Sequence, residues 1–121
     1  MKRTLMQMYV KNSAEAVDFY QEAFQASLGN NWRNEDGSCF HVELDADGQI
    51  LAISEATDAT VQGNNLQFCF QFDETEKEKV RQAYEVLKKD AHIIRDLGEP
   101  SWSPYMFALI DRFGVHWCVF I

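Results

Sequence analysis

From Leu66 to Phe72 the chain alternates without a break: Leu-Gln-Phe-Cys-Phe-Gln-Phe. Alternation with a period of two puts one set of side chains on each face of an extended chain, so this stretch predicts a half-buried β-strand. Thr4 to Val10 shows a weaker version of the pattern and predicts another. Between them Ala16, Val17, Tyr20, Ala23 and Phe24 recur at helical spacing and form one apolar stripe. Asn12 or Ser13 is placed to cap that helix, and Asn12-x-x-Glu15 has the form of a capping box with Asn in the hydroxyl's place. Gly29 lies just beyond it, where helices tend to stop. Strands are expected next at about 28–34, 38–45 and 49–56.

The second half repeats the order. After the strand at 66–72, Thr75-x-x-Glu78 reads as a capping box, and Val80, Ala83, Tyr84 and Leu87 form a helix stripe. Strands are expected at about 92–97, 105–111 and 115–121. Asp45-x-x-Gly48 and Asp111-x-x-Gly114 mark corresponding hairpin turns 66 positions apart, each with a glycine able to take a positive φ. Gly63-Asn64-Asn65 reads as the connector. The pattern therefore predicts an α+β fold of two βαβββ modules, about 1–62 and 63–121, forming a single domain over residues 1–121.

Composition narrows the function. The formal charge is −8, from 19 acidic and 11 basic residues, and Lys88-Lys89 is the longest basic run. A phosphate-binding surface needs clustered cations, so nucleic acid is not an expected partner. No apolar run approaches the ~18 residues of a membrane span, so no membrane association is expected. Gln7 and Lys11 interrupt any signal-peptide core, and the expected location is the cytoplasm. Cys39, Cys69 and Cys118 are widely spaced and form no Cys-x-x-Cys pair, which suits reduced thiols serving as small core residues.

Asn12-Ser13-Ala14-Glu15-Ala16-Val17-Asp18-Phe19-Tyr20, followed by Phe24-Gln25-Ala26, resembles the opening of PhnB-like proteins of the vicinal-oxygen-chelate superfamily, which includes glyoxalase I, bleomycin-resistance proteins and extradiol dioxygenases. Phe40-His41-Val42-Glu43-Leu44 resembles the family's third strand. Trp102 and Asp111-Arg112-Phe113-Gly114-Val115-His116-Trp117 resemble its C-terminal motif. The chain departs from the family at Gln25, where glycine is usual, and at Asp90-Ala91, where a glycine pair is usual. The resemblance implies two curved sheets around a pocket, usually within a homodimer.

Metal-dependent relatives take one ligand each from the first, fourth, fifth and eighth strands. By resemblance those places fall at Leu5, at Ser54 or Glu55, at Gln67 and at Cys118. Glu55 is the one good hard-metal ligand among them, too little for an octahedral site of O and N donors. No metal and no other cofactor are therefore expected, with Glu55, His41 and His116 as the remaining candidate ligands. Which side of its strand Glu55 faces is open.

Alternation then assigns faces. Leu66, Phe68, Phe70 and Phe72 are expected in the core, with Gln67, Cys69 and Gln71 toward the pocket. Val115, Trp117, Val119 and Ile121 are likewise core, with His116, Cys118 and Phe120 facing inward. Phe40, Val42 and Leu44 are core, with Cys39, His41 and Glu43 inward. Met6, Met8 and Val10 are core, with Leu5, Gln7 and Tyr9 inward. The candidate ligand-binding residues are thus Gln7, Tyr9, His41, Glu43, Gln67, Cys69, Trp102, His116, Cys118 and Phe120. A wall mixing aromatic surface with a few hydrogen-bonding groups suits a small organic ligand.

The leading expectation is a small-molecule binder that holds an aromatic or amphipathic compound without metal. The alternative is an enzyme of lyase, isomerase or dioxygenase type with a non-standard metal or acid–base site. For that role His41 and Glu43, at i and i+2 on one strand face, are the candidate catalytic pair. A third reading is a regulatory or interaction domain, which free exposure of the Trp102 loop would favour.

Overall fold

Each half of the chain folds as strand, helix and three strands. The computed structural model describes residues 1–98 and 105–121, and the chain divides into two units, Met1–Val61 and Gln62–Ile121. In the first unit β1 (Leu5–Val10) leads to α1 (Ser13–Phe24), then β2 (Ser27–Arg33), β3 (Cys39–Ala46) and β4 (Gln49–Glu55). The sheet order is β1-β4-β3-β2, with β1 parallel to β4 and the other pairs antiparallel. In the second unit β5 (Phe68–Gln71) and a 3-10 turn at Glu74–Glu76 precede α2 (Lys77–Leu87). Then follow β6 (His92–Gly98), β7 (Met106–Ile110) and β8 (His116–Phe120). The order β5-β8-β7-β6 repeats the first unit's topology, again with the outer pair β5 and β8 parallel. No helix among the described residues is long and apolar enough to cross a membrane.

Each core lies between a helix stripe and alternate strand residues. In the first unit Val17 and Tyr20 of α1 pack with Val10, Val42, Leu44, Leu51 and Ile53, all essentially inaccessible. In the second, Val80 and Leu87 of α2 share this burial with Phe107, Leu109, Trp117 and Val119. Both hairpin turns use the expected glycine: Gly48 has φ 94° and Gly114 φ 88°. The aspartates work in parallel, the Asp45 carboxylate accepting from the Gly48 amide at 2.7 Å and that of Asp111 from the Phe113 and Val115 amides at 2.9 and 3.0 Å. Asp111 does more than shape a turn. Its second oxygen accepts the buried Trp117 indole N–H at 2.8 Å, tying the turn to the core.

The structure corrects several local expectations. Asn12 does not cap α1 with its side chain; it sits in the left-handed region at φ 59° and makes no side-chain cap. The box before α2 is formed by Asp73 and Glu76 rather than Thr75 and Glu78. The Asp73 carboxylate takes the Thr75 amide at 3.0 Å, and Glu76 reaches back to the Asp73 amide at 3.1 Å.

Leu66 lies outside β5 and is 74% exposed, because ladder pairing begins only at Phe68 opposite Trp117. Phe68 and Phe70 are half-buried, with their rings edge-on to Trp117 at 5.5 Å. Phe40 is also not core: it is 67% exposed, while Cys39 is buried. The pairing explains the inversion. Trp32 opposes His41 and Arg33 opposes Cys39, so Phe40 is the extra residue of a β-bulge, beyond which simple alternation fails. Trp102 lies outside the described residues.

Candidate functional site

A cavity of about 780 Å³ opens on the first unit. Its wall is built from β1, β4, the start of β3 and the end of β2. Tyr9, Trp32 and Phe40 line it and remain 57%, 57% and 67% exposed. Each owes its position to strand geometry: Tyr9 alternates outward between buried Met8 and Val10, and the bulge turns Phe40 away from the core. Trp32 stacks obliquely on His41, with ring centroids 5.8 Å apart and planes 32° apart.

Between the aromatics lie a few polar groups with fixed directions. The Gln7 amide donates to Ser54 Oγ at 3.1 Å, and that hydroxyl donates to the Phe40 carbonyl at 2.8 Å. These bonds span three strands and orient Gln7 at the cavity wall. The described lining includes Asp36 and Glu55 but no Lys or Arg.

Glu43 faces the same side as His41 but is not part of the wall, being 5% exposed. Arg3 binds both its carboxylate oxygens at 2.9 Å, His41 Nε2 meets Oε1 at 3.0 Å, and Asn30 Nδ2 donates to Oε2 at 3.4 Å. The paired hydrogen bonds from the Arg3 guanidinium, then the bond from His41, hold the Glu43 carboxyl down to about 2. An ionised carboxylate only accepts, so His41 Nε2 carries the proton toward it. In the neutral ring Nδ1 then keeps its lone pair. Glu43 is therefore an orienting anion for His41 rather than a proton acceptor at neutral pH.

Glu55 is committed elsewhere. Its carboxylate accepts from Ser13 Oγ at 2.7 Å, the Ser13 amide at 3.0 Å and the Asn12 amide at 3.2 Å. It thus caps α1 from a strand 42 residues away, where the free amides and the helix dipole favour a negative charge. Burial pushes its carboxyl up, but the bonds from Ser13 and Asn12 outweigh this and leave it below the usual range.

In the second unit the expected residues gather on their own sheet face. Gln67 Nε2 contacts His116 Nε2 at 2.9 Å, and His116 Nδ1 meets the Asn64 carbonyl at 3.2 Å. Cys69 and Cys118 are direct partners in the β5–β8 ladder. Burial, followed by the neighbouring Cys69 thiol, pushes the Cys118 thiol up to about 11. Phe120 packs on the small buried cluster of Met106, Ala108 and Cys118.

The donors present do not suit a hard divalent ion. Leu5 offers none, Ser54 is bonded to Gln7 and Phe40, and Glu55 is engaged by three bonds at the start of the helix. Gln67 and Cys118 offer one amide and one hard-to-ionise thiol. No group of three or more His, Cys, Asp or Glu is placed to hold a metal among the described residues.

The sequence pattern found Gln7, Tyr9 and His41 in the cavity wall but missed Trp32 and Phe40. Trp32 carried a usable signal, a large aromatic on a strand otherwise rich in polar residues. Arg3, 40 positions from its partner Glu43, carried none.

Comparison with known proteins places this geometry in a family. The chain superposes on a PhnB protein from Bacillus cereus with a TM-score of 0.81, at 20% identity, covering 99% of this chain and 98% of that one. It matches protein PA1353 from Pseudomonas aeruginosa with a TM-score of 0.79, at 18% identity, covering 99% and 97%. A variant of the fosfomycin resistance protein FosX from Listeria monocytogenes, solved with Mn(II) and 1S,2S-dihydroxypropylphosphonic acid, matches with a TM-score of 0.69, at 14% identity, covering 98% and 89%. At these identities the likeness is one of fold. No curated protein sequence matches significantly. The sequence model described as Glyoxalase/Bleomycin resistance protein/Dioxygenase superfamily matches residues 4–119, nearly the whole chain, and the chain belongs to that superfamily.

Proposed function

We propose that this protein binds a small aromatic or amphipathic molecule, without a metal, in the cavity of its first unit. The observation that carries the reading is the set of solvent-facing aromatics, Tyr9, Trp32 and Phe40, around a volume suited to a small organic molecule. Exposed rings on one concave surface offer flat apolar area, and Gln7 and His41 offer directed polar contacts. The acidic groups and the lack of described Lys or Arg in the wall favour a neutral or positively charged ligand over an anion. The FosX complex holds a phosphonic acid, whereas the described wall here offers no Lys or Arg to pair with such an anion.

The test is a thermal-shift screen of chelator-treated protein against aromatic and amphipathic compounds, with calorimetry on each hit. Binding should survive chelation and weaken roughly tenfold or more in Trp32→Ala and Phe40→Ala, as expected for ~1.5 kcal/mol of lost stacking area. Binders indifferent to both substitutions, or no binder at all, would overturn the proposal. We also propose that the two units act as one domain in a cytoplasmic homodimer, the usual superfamily assembly, which light scattering and cell fractionation would test.

The Arg3–Glu43–His41 chain favours a second reading, in which His41 is a general base held in one tautomer by Glu43. In that case His41→Gln would abolish turnover of a bound compound while leaving its affinity nearly intact.

A further inference from the structure

Cys69 and Cys118 stand directly opposite each other on the parallel strands β5 and β8, so their side chains leave the same face of the sheet. Their thiols already interact, and both are unbridged. Adjacent strands lie about 4.8 Å apart, inside the ~4.4–6.8 Å Cα separation that a disulfide spans. Cys69 is exposed, whereas Cys118 is 8% exposed and set among Met106, Ala108 and Phe120. One thiol is thus open to a small oxidant, and its neighbour is shielded yet within reach. The chain's other cysteine, Cys39, is 1% exposed and belongs to the first unit.

We propose that Cys69 and Cys118 form a reversible disulfide site, oxidised by low-molecular-weight disulfides such as oxidised glutathione. The Cys69 thiolate attacks one sulfur of oxidised glutathione and releases one glutathione thiolate. The Cys118 thiol then attacks the Cys69 sulfur of the mixed disulfide, forming the intramolecular S–S bond and passing its proton to the second glutathione as that leaves. The two cysteines lose two electrons and two protons, and the two glutathione molecules take them up.

Two features make the bridge labile rather than permanent. Opposed positions on parallel strands hold the Cβ atoms near the interstrand spacing, slightly beyond the ~3.5–4.5 Å of a relaxed disulfide, and a strained bridge is more easily reduced. β5 is a four-residue strand at the edge of its sheet, paired on one side only, so few ladder bonds resist the adjustment a bridge needs. Oxidation also removes the Cys69 S–H that donates to Gln67 Oε1 at 3.5 Å, and so alters the support of the Gln67–His116 contact on the same face.

The test is titration of the reduced protein with oxidised glutathione, followed by intact-mass measurement and peptide mapping under non-reducing conditions. The wild type should lose about 2 Da, the two thiol hydrogens, as a Cys69–Cys118 cross-link that dithiothreitol reverses. Cys118→Ser should stop at the glutathione adduct on Cys69, and Cys39→Ser should behave as wild type. A wild-type product that stays at the Cys69 adduct, joins two chains through Cys69, or leaves both thiols free would overturn the proposal.

Discussion

Replacing Glu43 by Gln keeps the side chain's size but removes the charge that Arg3 and His41 bind. The Glu43 carboxyl is held at about 2 against an ordinary 4.5, chiefly by the hydrogen bonds from Arg3 and then by that from His41. That difference sets an upper limit of ~3 kcal/mol of folding free energy. Arg3 is 47% exposed, so water screens part of the interaction, and about 1–2 kcal/mol is the expected loss at pH 7. The pH dependence follows from the sign. A carboxyl whose pKa is lower in the folded state stabilises the protein above its unfolded pKa and loses that contribution as pH falls toward the folded value. The stability gap between wild type and Glu43→Gln should therefore be full at pH 7 and shrink steadily below about pH 4.5. Urea unfolding followed by tryptophan fluorescence from pH 7 to pH 3 measures it directly. A double-mutant cycle with Arg3→Ala should return a coupling energy of similar size at pH 7. A gap that is constant across this range, or zero coupling with Arg3, would refute the reasoning.

Glu55→Ala removes the acceptor of three bonds at the start of α1 and should cost about 1–2 kcal/mol in urea unfolding, the range of a lost helix cap. Gln25 and Asp90 both adopt positive φ, at 50° and 56°, where side chains other than glycine are strained. Gln25→Gly should raise stability by up to ~1 kcal/mol, and Asp90→Gly by less because Asp tolerates this region better; thermal unfolding reads both. Asp111→Ala strands the buried Trp117 indole N–H and two turn amides, and should cost about 3–4 kcal/mol on the same assay.

Much of the fold was legible because hydrophobic period and turn chemistry are local. The alternation of β1 and β8 and the stripes of α1 and α2 follow from which residues can be buried together, and the Asp-x-x-Gly turns need only four residues. The misreadings occur where a distant partner decides. Asn12 looked like a cap from its neighbours, but the carboxylate that caps α1 comes from Glu55 on β4. Phe40 looked like core by counting twos, but it is itself the extra residue of the β2–β3 ladder and turns outward. The departures at Gln25 and Asp90 have a visible physical meaning in the structure, since both positions are left-handed. The candidate site was half legible for the same reason: alternation selects a face, whereas the Arg3–Glu43 pair joins residues 40 positions apart with no local signature.

The repeated topology also sets different side chains on matching strand rows of the two units. In the first unit Gln7 opposes Ala52, and Ala52 opposes Glu43, across β1, β4 and β3. In the second unit the matching row across β5, β8 and β7 is Cys69, Cys118 and Ala108. One strand row thus presents an amide and a buried carboxylate in one copy, and a pair of thiols in the other. His41, two residues before Glu43, is matched by Met106, two before Ala108, so the polar neighbour is replaced by an apolar one as well. Backbone pairing fixes which positions share a row, and side-chain identity then sets the chemistry independently in each copy. Function in such a fold is therefore read row by row. Here the matching rows hold Gln7 and Glu43 in the first unit and Cys69 and Cys118 in the second.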